Sequence, residues 1–231
     1  MKLELVNVIK EFCEMFEFEY LDGEFELVTT DDIAEYVKRD DEEYYEGSKR
    51  QLIGADGALY ENSKGKILLL IKEDLQTLRK ADIVVHEYVH LHDYKKCIEK
   101  THCRSLRETT VENGFGHWSE FHASYMAARY RIAVSGAPYP QKSAQTMELN
   151  VCKNMIYQGR DTHWIAIYTA ICTCGQYMAI YEAYPNEVSP VPTILNTYDA
   201  FMKIYRFYFT HRTIDKFLQD SKELERLIDK L

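Results

Sequence analysis

The segment His86-Glu87-Tyr88-Val89-His90 constrains this chain most, because it places three chemically active side chains on about one turn of helix. Apolar residues surround it, which favours a helix with a buried face. Successive helix residues step by about 100°, so the side chains of His86 and His90 point in the same direction. Two imidazoles on one face can share a Zn²⁺ ion, and Glu87 beside them can accept a proton from water at that ion. The segment therefore predicts a catalytic zinc helix, with His86 and His90 as ligands and Glu87 as general base.

A catalytic zinc site normally needs a third protein ligand. One class of zinc peptidases uses a His six residues after the second motif His, with a Gly at the midpoint. Those positions hold Lys96 and Asp93 here, which excludes that class. The other large class uses a Glu from a following helix. Of the acidic residues downstream, Glu120 has a convincing helical pattern, and we predict it as third ligand, with Glu112 and Glu108 as alternatives. The alternative for Glu120 is an exposed acid near a helix N-terminus.

Other polar residues near these positions are candidates for supporting roles. A side chain close to Glu120 in sequence could stabilise the oxyanion of a tetrahedral intermediate, and the candidates are His117, His122 and Tyr125. Ser124 or Asp93 could orient a His ligand through a hydrogen bond. His92 points to another face of the motif helix, which favours a surface or supporting role.

The first half of the chain mixes helical and strand patterns. Helical spacing predicts a helix over residues 1–19 and another through Ile33 and Val37, and alternation predicts a strand over 24–29. The segment 66–71 reads KILLLI, and its continuous apolar residues predict a strand buried on both faces. The remaining expectations are an acidic loop over 39–47, a hairpin over 51–61 that turns at 55–57, a turn at 62–65, a motif helix over 74–94 with Asp74 as its cap, and a polar irregular segment over 95–116.

The second half of the chain is predicted to be entirely helical. The first of these helices starts near Ser119 and ends at Gly136 and Pro138. The others are expected over 143–157, 161–184, 192–209 and 213–231. We therefore predict a mostly helical α+β fold, in which a small N-terminal antiparallel or mixed sheet packs on the motif helix. The break near Pro138 predicts two domains, 1–138 and a helical subdomain 139–231.

Composition and charge exclude several classes of protein. Hydrophobic residues make up 46% and charged residues 28% of the 231 positions, which is typical of a folded chain. The net charge of −9, without a dense Lys/Arg cluster, argues against direct nucleic-acid binding, although a basic partner remains open. No basic signal peptide and no run of about 18 apolar residues is present, so we expect a cytoplasmic protein without a membrane span. The six cysteines lack a framework spacing, which favours buried thiols, and Cys97, His102 and Cys103 are a weaker alternative metal site.

The order of these segments resembles a known group of proteins. A strand reading KILLLI, a helix reading RKADIVVHEYVHL and a second helix reading EFHASYMA are similar to the gluzincin-type zinc metallopeptidases, closest to the ImmA/IrrE group of cytosolic bacterial and mobile-element proteins. The resemblance covers about residues 50–135. It implies a zincin-like metallopeptidase domain, zinc held at His86, His90 and Glu120, Glu87 as general base, and a regulatory role in which a helix-turn-helix repressor is cut. Val89 departs from the Gly that is common before the second motif His, and the Phe-His pair after Glu120 also departs from the pattern.

Two functions remain open at this level. The first is a zinc-dependent metallopeptidase acting on a peptide or protein substrate, which could bind by strand addition to the edge of the strand at 66–71. The second is a non-catalytic interaction protein that retains a peptidase-like zinc-binding fold. Glu87 favours the first, because a purely structural zinc site needs no general base. The sequence does not indicate an oligomeric state.

Overall fold

The computed structural model describes residues 2–109, 114–156 and 163–229. Over those residues the chain forms ten α-helices and one mixed sheet of three strands, which confirms the mostly helical α+β prediction. The chain divides into two compact units, Met1–His92 and Asp93–Leu231. The division falls inside the motif helix, which continues through it without a break. The predicted domain boundary near residue 138 stays a prediction.

The first unit holds the sheet, the first three helices of the chain and part of the fourth. Its elements are α1 (Lys2–Phe16), β1 (Glu26–Thr30), α2 (Ile33–Asp40), α3 (Glu42–Leu52), β2 (Gly57–Glu61), β3 (Ile67–Lys72) and the first part of α4 (Thr77–Lys100). The strand order is β1-β3-β2, with β1 parallel and β2 antiparallel to β3. The predicted strand over 66–71 is therefore the central strand, and its residues 68–71 are all buried.

The two faces of β3 are covered by different helices. Leu68 and Leu70 belong to a buried cluster with residues of α2 and α3, including Val37. Ile71 pairs with Gly57, and directly opposed residues of an antiparallel pair lie on the same face of the sheet. Space beside Gly57 is filled by side chains of α4. The sheet thus packs on the motif helix, as the sequence predicts, and α2 and α3 cover the other face.

The acidic segment 39–47 contains the end of α2, the cap residue Asp41 and the first half of α3, so the predicted loop is wrong. Asp41 caps α3 by accepting a hydrogen bond from the N–H of Tyr44 at 2.9 Å. The acidic residues that follow fall in the first turn, where the helix dipole favours negative charge. The Tyr44 ring packs 5.3 Å from the Tyr60 ring of β2, which anchors this helix to the sheet. The acidic residues alone suggested a solvated loop. The packing that makes this segment helical involves a residue far away in sequence, so the segment itself does not reveal it.

The predicted hairpin over 51–61 is also wrong. Leu52 is the buried last residue of α3, and only 57–61 is a strand. The hairpin instead joins β2 to β3 through the turn at 62–65, which the sequence predicts correctly. There the Asn62 side chain accepts hydrogen bonds from the N–H groups of Lys64 and Lys66 at 3.0 and 2.8 Å.

The second unit consists of helices and contains the rest of α4. Its further elements are α5 (Leu106–Thr109), α6 (Phe115–Ser135), α7 (Pro140–Ile156), α8 (His163–Ala183), a 3₁₀ turn (Leu195–Thr197), α9 (Asp199–Thr210) and α10 (Ile214–Ile228). Aromatic side chains fill much of its core, and Phe121 stacks on Tyr208 with ring centroids 4.2 Å apart. Among the described helices none is long and apolar enough to cross a membrane.

Several predicted helix limits in and before this unit are corrected. The motif helix begins at Thr77, not at Asp74, and it extends to Lys100, where an irregular segment was expected. α6 begins four residues before Ser119. The expected helix over 192–209 is a 3₁₀ turn followed by α9, because a buried carboxylate, Glu148, accepts hydrogen bonds from the N–H groups of Ile194 and Leu195. The predicted limits at 157, 161 and 231 lie outside the described residues.

Candidate metal centre

The two motif histidines present their ring nitrogens to each other on α4. Their Nε2 atoms are 3.0 Å apart, and the ring planes meet at 83°. His90 is buried and His86 is half-buried. Tetrahedral zinc with Zn–N bonds of 2.0–2.1 Å separates two ligand nitrogens by about 3.3 Å, so a small rotation of either ring fits one shared ion.

Glu87 is a buried carboxylate beside the first residue of β2. Its side chain is 7% exposed. A Cβ atom on Gly57 would lie 2.9 Å from Glu87 Oε1 and 2.3 Å from the Cγ2 atom of Ile83. The absence of a side chain at Gly57 therefore makes the space in which the Glu87 carboxylate lies.

The residue after Glu87 fixes the motif helix within the first unit. The hydroxyl of Tyr88 donates to the backbone carbonyl of Glu19 at 2.6 Å and accepts from the N–H of Leu21 at 2.9 Å. The ring is fully buried, and burial raises the pKa of this phenol well above its ordinary value. Tyr88 therefore stays neutral and holds the α1–β1 connection against the helix that carries His86 and His90.

Asp93, one turn after His90, contacts the first part of α6. Its Oδ2 accepts a hydrogen bond from the Ser119 hydroxyl at 3.1 Å, and its Oδ1 lies 2.8 Å from Nδ1 of His122. All three side chains are largely buried. The sequence suggested that Asp93 orients a His ligand, which stays a prediction; Ser119 and His122, its partners here, lie on either side of Glu120 in sequence.

His86, His90 and Glu120 form the one group of three or more candidate ligands found in the described part of the chain. Each offers a ligand atom, and these atoms all lie within 4.8 Å of one another. Two imidazoles and a carboxylate are a donor set that zinc accepts in catalytic sites, with a fourth position left for water. The geometry brings together the three residues that the sequence selected, and the group could hold a metal ion.

The alternative ligands do not join this group. Glu108 is exposed on α5 and accepts a hydrogen bond from the N–H of Arg104 at 2.6 Å. Glu112 lies outside the described residues. Cys97, His102 and Cys103 are described, but they do not come together as a set of ligands.

The remaining residues that the sequence suggested for supporting roles each contact a different part of the fold. The Tyr125 hydroxyl donates to Glu182, and the Arg212 guanidinium lies 5.8 Å from the centre of the Tyr125 ring. His117 is exposed. The His92 ring lies 4.7 Å from the Phe18 ring. Of the three oxyanion candidates, His122 has the hydrogen bond that would orient an imidazole, through Asp93.

Two neighbours of the site were not identified from the sequence. Gly57 borders Glu87, and Cys172 of α8 lies near Glu120. Ser124, which the sequence suggested as a residue that orients a His ligand, lies close to the Cys172 thiol. Burial, followed by the charge of Glu120, raises the pKa of Cys172 to about 12, so this residue is a neutral thiol at ordinary pH. Neither residue belongs to a sequence motif, because each lies close to the site only through the packing of another element.

Comparison with known proteins adds no family to these observations. The chain matches no protein-family model, no curated protein and no solved structure. The resemblance to gluzincin-type peptidases therefore stays a prediction, and the candidate metal centre rests on its own donor atoms and geometry.

Proposed function

We propose that this protein is a zinc-dependent metallopeptidase that hydrolyses peptide bonds in a peptide or protein substrate. The observation that carries the proposal is the grouping of His86, His90 and Glu120 within 4.8 Å, with the Glu87 carboxylate next to the first ligand in the same helix. A set of two nitrogens and one carboxylate oxygen suits zinc. A buried glutamate adjacent to that set is what peptide hydrolysis needs as a proton carrier.

The proposed roles follow from the chemistry of each side chain. His86, His90 and Glu120 would hold the ion, which when bound lowers the pKa of water and polarises a carbonyl group. Glu87 accepts the proton of the attacking water and then donates it to the leaving amine. His122, held by Asp93, is the described residue best prepared to donate a hydrogen bond to developing negative charge.

Among the described strands, β2 offers an edge beside Glu87 to an extended substrate. The edge of β3, which the sequence suggested, is unsuitable because β1 and β2 occupy both of its sides. In the antiparallel pair, the backbone carbonyl of Asp56 accepts a hydrogen bond from the N–H of Lys72. Backbone groups that face the partner strand alternate along a strand, so the N–H and C=O groups of Gly57 and Leu59 point away from β3. We therefore propose that substrate adds along the outer edge of β2.

Metal analysis and one substitution test the site. Wild-type protein should contain about one zinc ion per chain, and His86→Ala should lose it. His102→Ala is the matched control, because His102 is an exposed histidine outside the ligand group. Zinc occupancy that is equal in His86→Ala and wild type would contradict the assignment.

A second substitution separates catalysis from metal binding. Glu87→Gln should retain zinc and reduce peptide cleavage by about 10²-fold or more, because the amide cannot accept the proton of water. A screen of candidate host proteins, including helix-turn-helix repressors, would supply the substrate. Equal cleavage by Glu87→Gln and wild type would remove Glu87 from the mechanism, and a zinc-loaded protein that cuts nothing would favour the non-catalytic interaction protein.

A further inference from the structure

Asp93 is a buried carboxylate that the proposed hydrolysis does not use. It is 2% exposed and lies on α4, three residues after His90 and seven after His86. Residues with these spacings share one face of a helix, so the Asp93 side chain continues the row formed by the two histidines. Burying a carboxylate is unfavourable unless hydrogen bonds replace its water, which indicates that its partners define its role.

Both carboxylate oxygens of Asp93 are engaged by α6. Ser119 donates to Oδ2 at 3.1 Å, and Nδ1 of His122 lies 2.8 Å from Oδ1 and 3.0 Å from Oδ2. Ser119 and His122 are three residues apart and therefore lie on one face, about a turn apart. Two contacts at that separation fix both the rotation of α6 about its axis and its position along that axis. Glu120 lies between them in sequence, so its direction is fixed at the same time.

The His122 ring is held on its face as well as at its nitrogen. Trp118 stacks on His122 with centroids 5.0 Å apart and an angle of 19°. Two further contacts of Trp118 come from the C-terminal part of the chain: Phe217 stacks on it at 5.1 Å, and its indole N–H donates to the backbone carbonyl of His211 at 2.6 Å. The C-terminal helices thus fix the imidazole that binds Asp93.

We propose that Asp93 is a positioning residue for a divalent cation site: through Ser119 and His122 it sets the position of Glu120 before the metal binds. This inference rests on the proposed metal centre and goes beyond it, because Asp93 itself is not a ligand. A preset third ligand loses little conformational freedom when the ion arrives, which strengthens binding. Carboxylates that hydrogen-bond a metal ligand directly change metal affinity by about 10- to 100-fold when they are replaced, and Asp93, which acts through the neighbours of Glu120, should lie at the lower end of that range.

Zinc affinity, measured by competition with a chromophoric chelator, tests this role without any substrate. Asp93→Asn and the double variant Ser119→Ala/His122→Phe should each weaken zinc binding about 10-fold or more. Glu148→Gln is the matched control: Glu148 is equally buried, and it accepts backbone hydrogen bonds in the same unit from Ile194 and Leu195. Glu148→Gln should lower thermal stability and leave zinc affinity unchanged.

The variants also distinguish positioning from general damage to the fold. Adding Asp93→Asn to Ser119→Ala/His122→Phe should weaken zinc binding little further, because the same contacts are already lost. Zinc affinity in Asp93→Asn that equals the affinity of Glu148→Gln would overturn the positioning role while leaving the metal centre intact. Wild-type protein that binds no zinc would overturn the proposed function and the positioning role together.

Discussion

At the scale of single residues, the size of Gly57 decides where the Glu87 carboxylate can lie. A methyl group at this position would meet Ile83 at 2.3 Å and Glu87 Oε1 at 2.9 Å, both shorter than van der Waals contact. The Gly57 backbone conformation lies outside the left-handed region, so only the space limits substitution. The Glu87 carboxylate, the proposed general base, is thus positioned by the absence of a side chain on the neighbouring strand.

We expect Gly57→Ala to displace Glu87 and to reduce cleavage while zinc stays bound. The overpacking should also lower the free energy of unfolding by about 1–3 kcal/mol. Ile83→Ala should cost less stability in the Gly57→Ala background than in wild type, because it removes the shorter of the two contacts. Denaturant unfolding, zinc analysis and cleavage of the same samples would measure these effects. Cleavage restored to the wild-type rate in the double variant would show that Ile83, not Glu87, transmits the effect.

Residues of the site differ in how far the sequence could identify them. His86, Glu87 and His90 follow from spacing along one helix, since their relative directions depend only on helix geometry. Glu120 required a choice among several acids, and the structure brings it to the histidines. Gly57 carries no chemical group, so its contact with Glu87 could be found only from the packing of β2 on α4.

At the scale of elements, the contact between α6 and α8 holds the helix that carries Glu120. A Cβ atom on Gly175 of α8 would lie 2.5 Å from the backbone oxygen of Phe121 and 2.7 Å from the backbone nitrogen of Tyr125. The two helix backbones therefore approach each other directly at Gly175. No motif in the sequence marks this glycine of α8 as a site of close helix packing.

Gly175→Ala should push α8 away from α6 and lower the free energy of unfolding by about 1–3 kcal/mol, because the atoms it meets are backbone and cannot move aside cheaply. Gly47→Ala is a matched control in α3, where no atom lies within 4 Å of the added Cβ. Gly47 is an exposed residue inside a helix, so Gly47→Ala should raise the free energy of unfolding by about 0.5–1 kcal/mol. Urea unfolding of both variants measures the difference. Similar stability changes for the two would contradict direct contact between the helix backbones.

Helices and strands could be predicted where the hydrophobic pattern of a segment matches the burial of its side chains in the fold. The run 67–71 is continuously apolar and lies in the central strand β3, where residues 68–71 are buried on both faces. The acidic α3 was missed because its anchors, Tyr44 and Leu52, are sparse in an otherwise polar segment. The interruption before α9 was missed because it depends on Glu148, about 46 residues earlier in the chain. Long-range hydrogen bonds of this kind leave no local pattern.

At the scale of the whole molecule, α4 is the element that runs through both compact units. It carries His86 and His90 before the division and Asp93 after it. The third candidate ligand comes from α6, so the donor atoms belong to two helices that are far apart in sequence. An ion bound by these atoms exists only when both helices are folded. Metal binding must therefore stabilise the native state relative to the unfolded chain.

Zinc at about 100 times its dissociation constant should stabilise the native protein by about 2.7 kcal/mol. For a chain of this size that corresponds to a rise in Tm of about 5–10 °C. His90→Ala should lose the rise, because the remaining ligands bind zinc weakly. His92→Ala is the matched control, since His92 lies on the same helix and packs on Phe18. It should keep the full rise even if its Tm without zinc is lower. Thermal unfolding of each variant with zinc and with a chelator provides the measurement, and an equal rise in His90→Ala and His92→Ala would place the stabilising ion elsewhere.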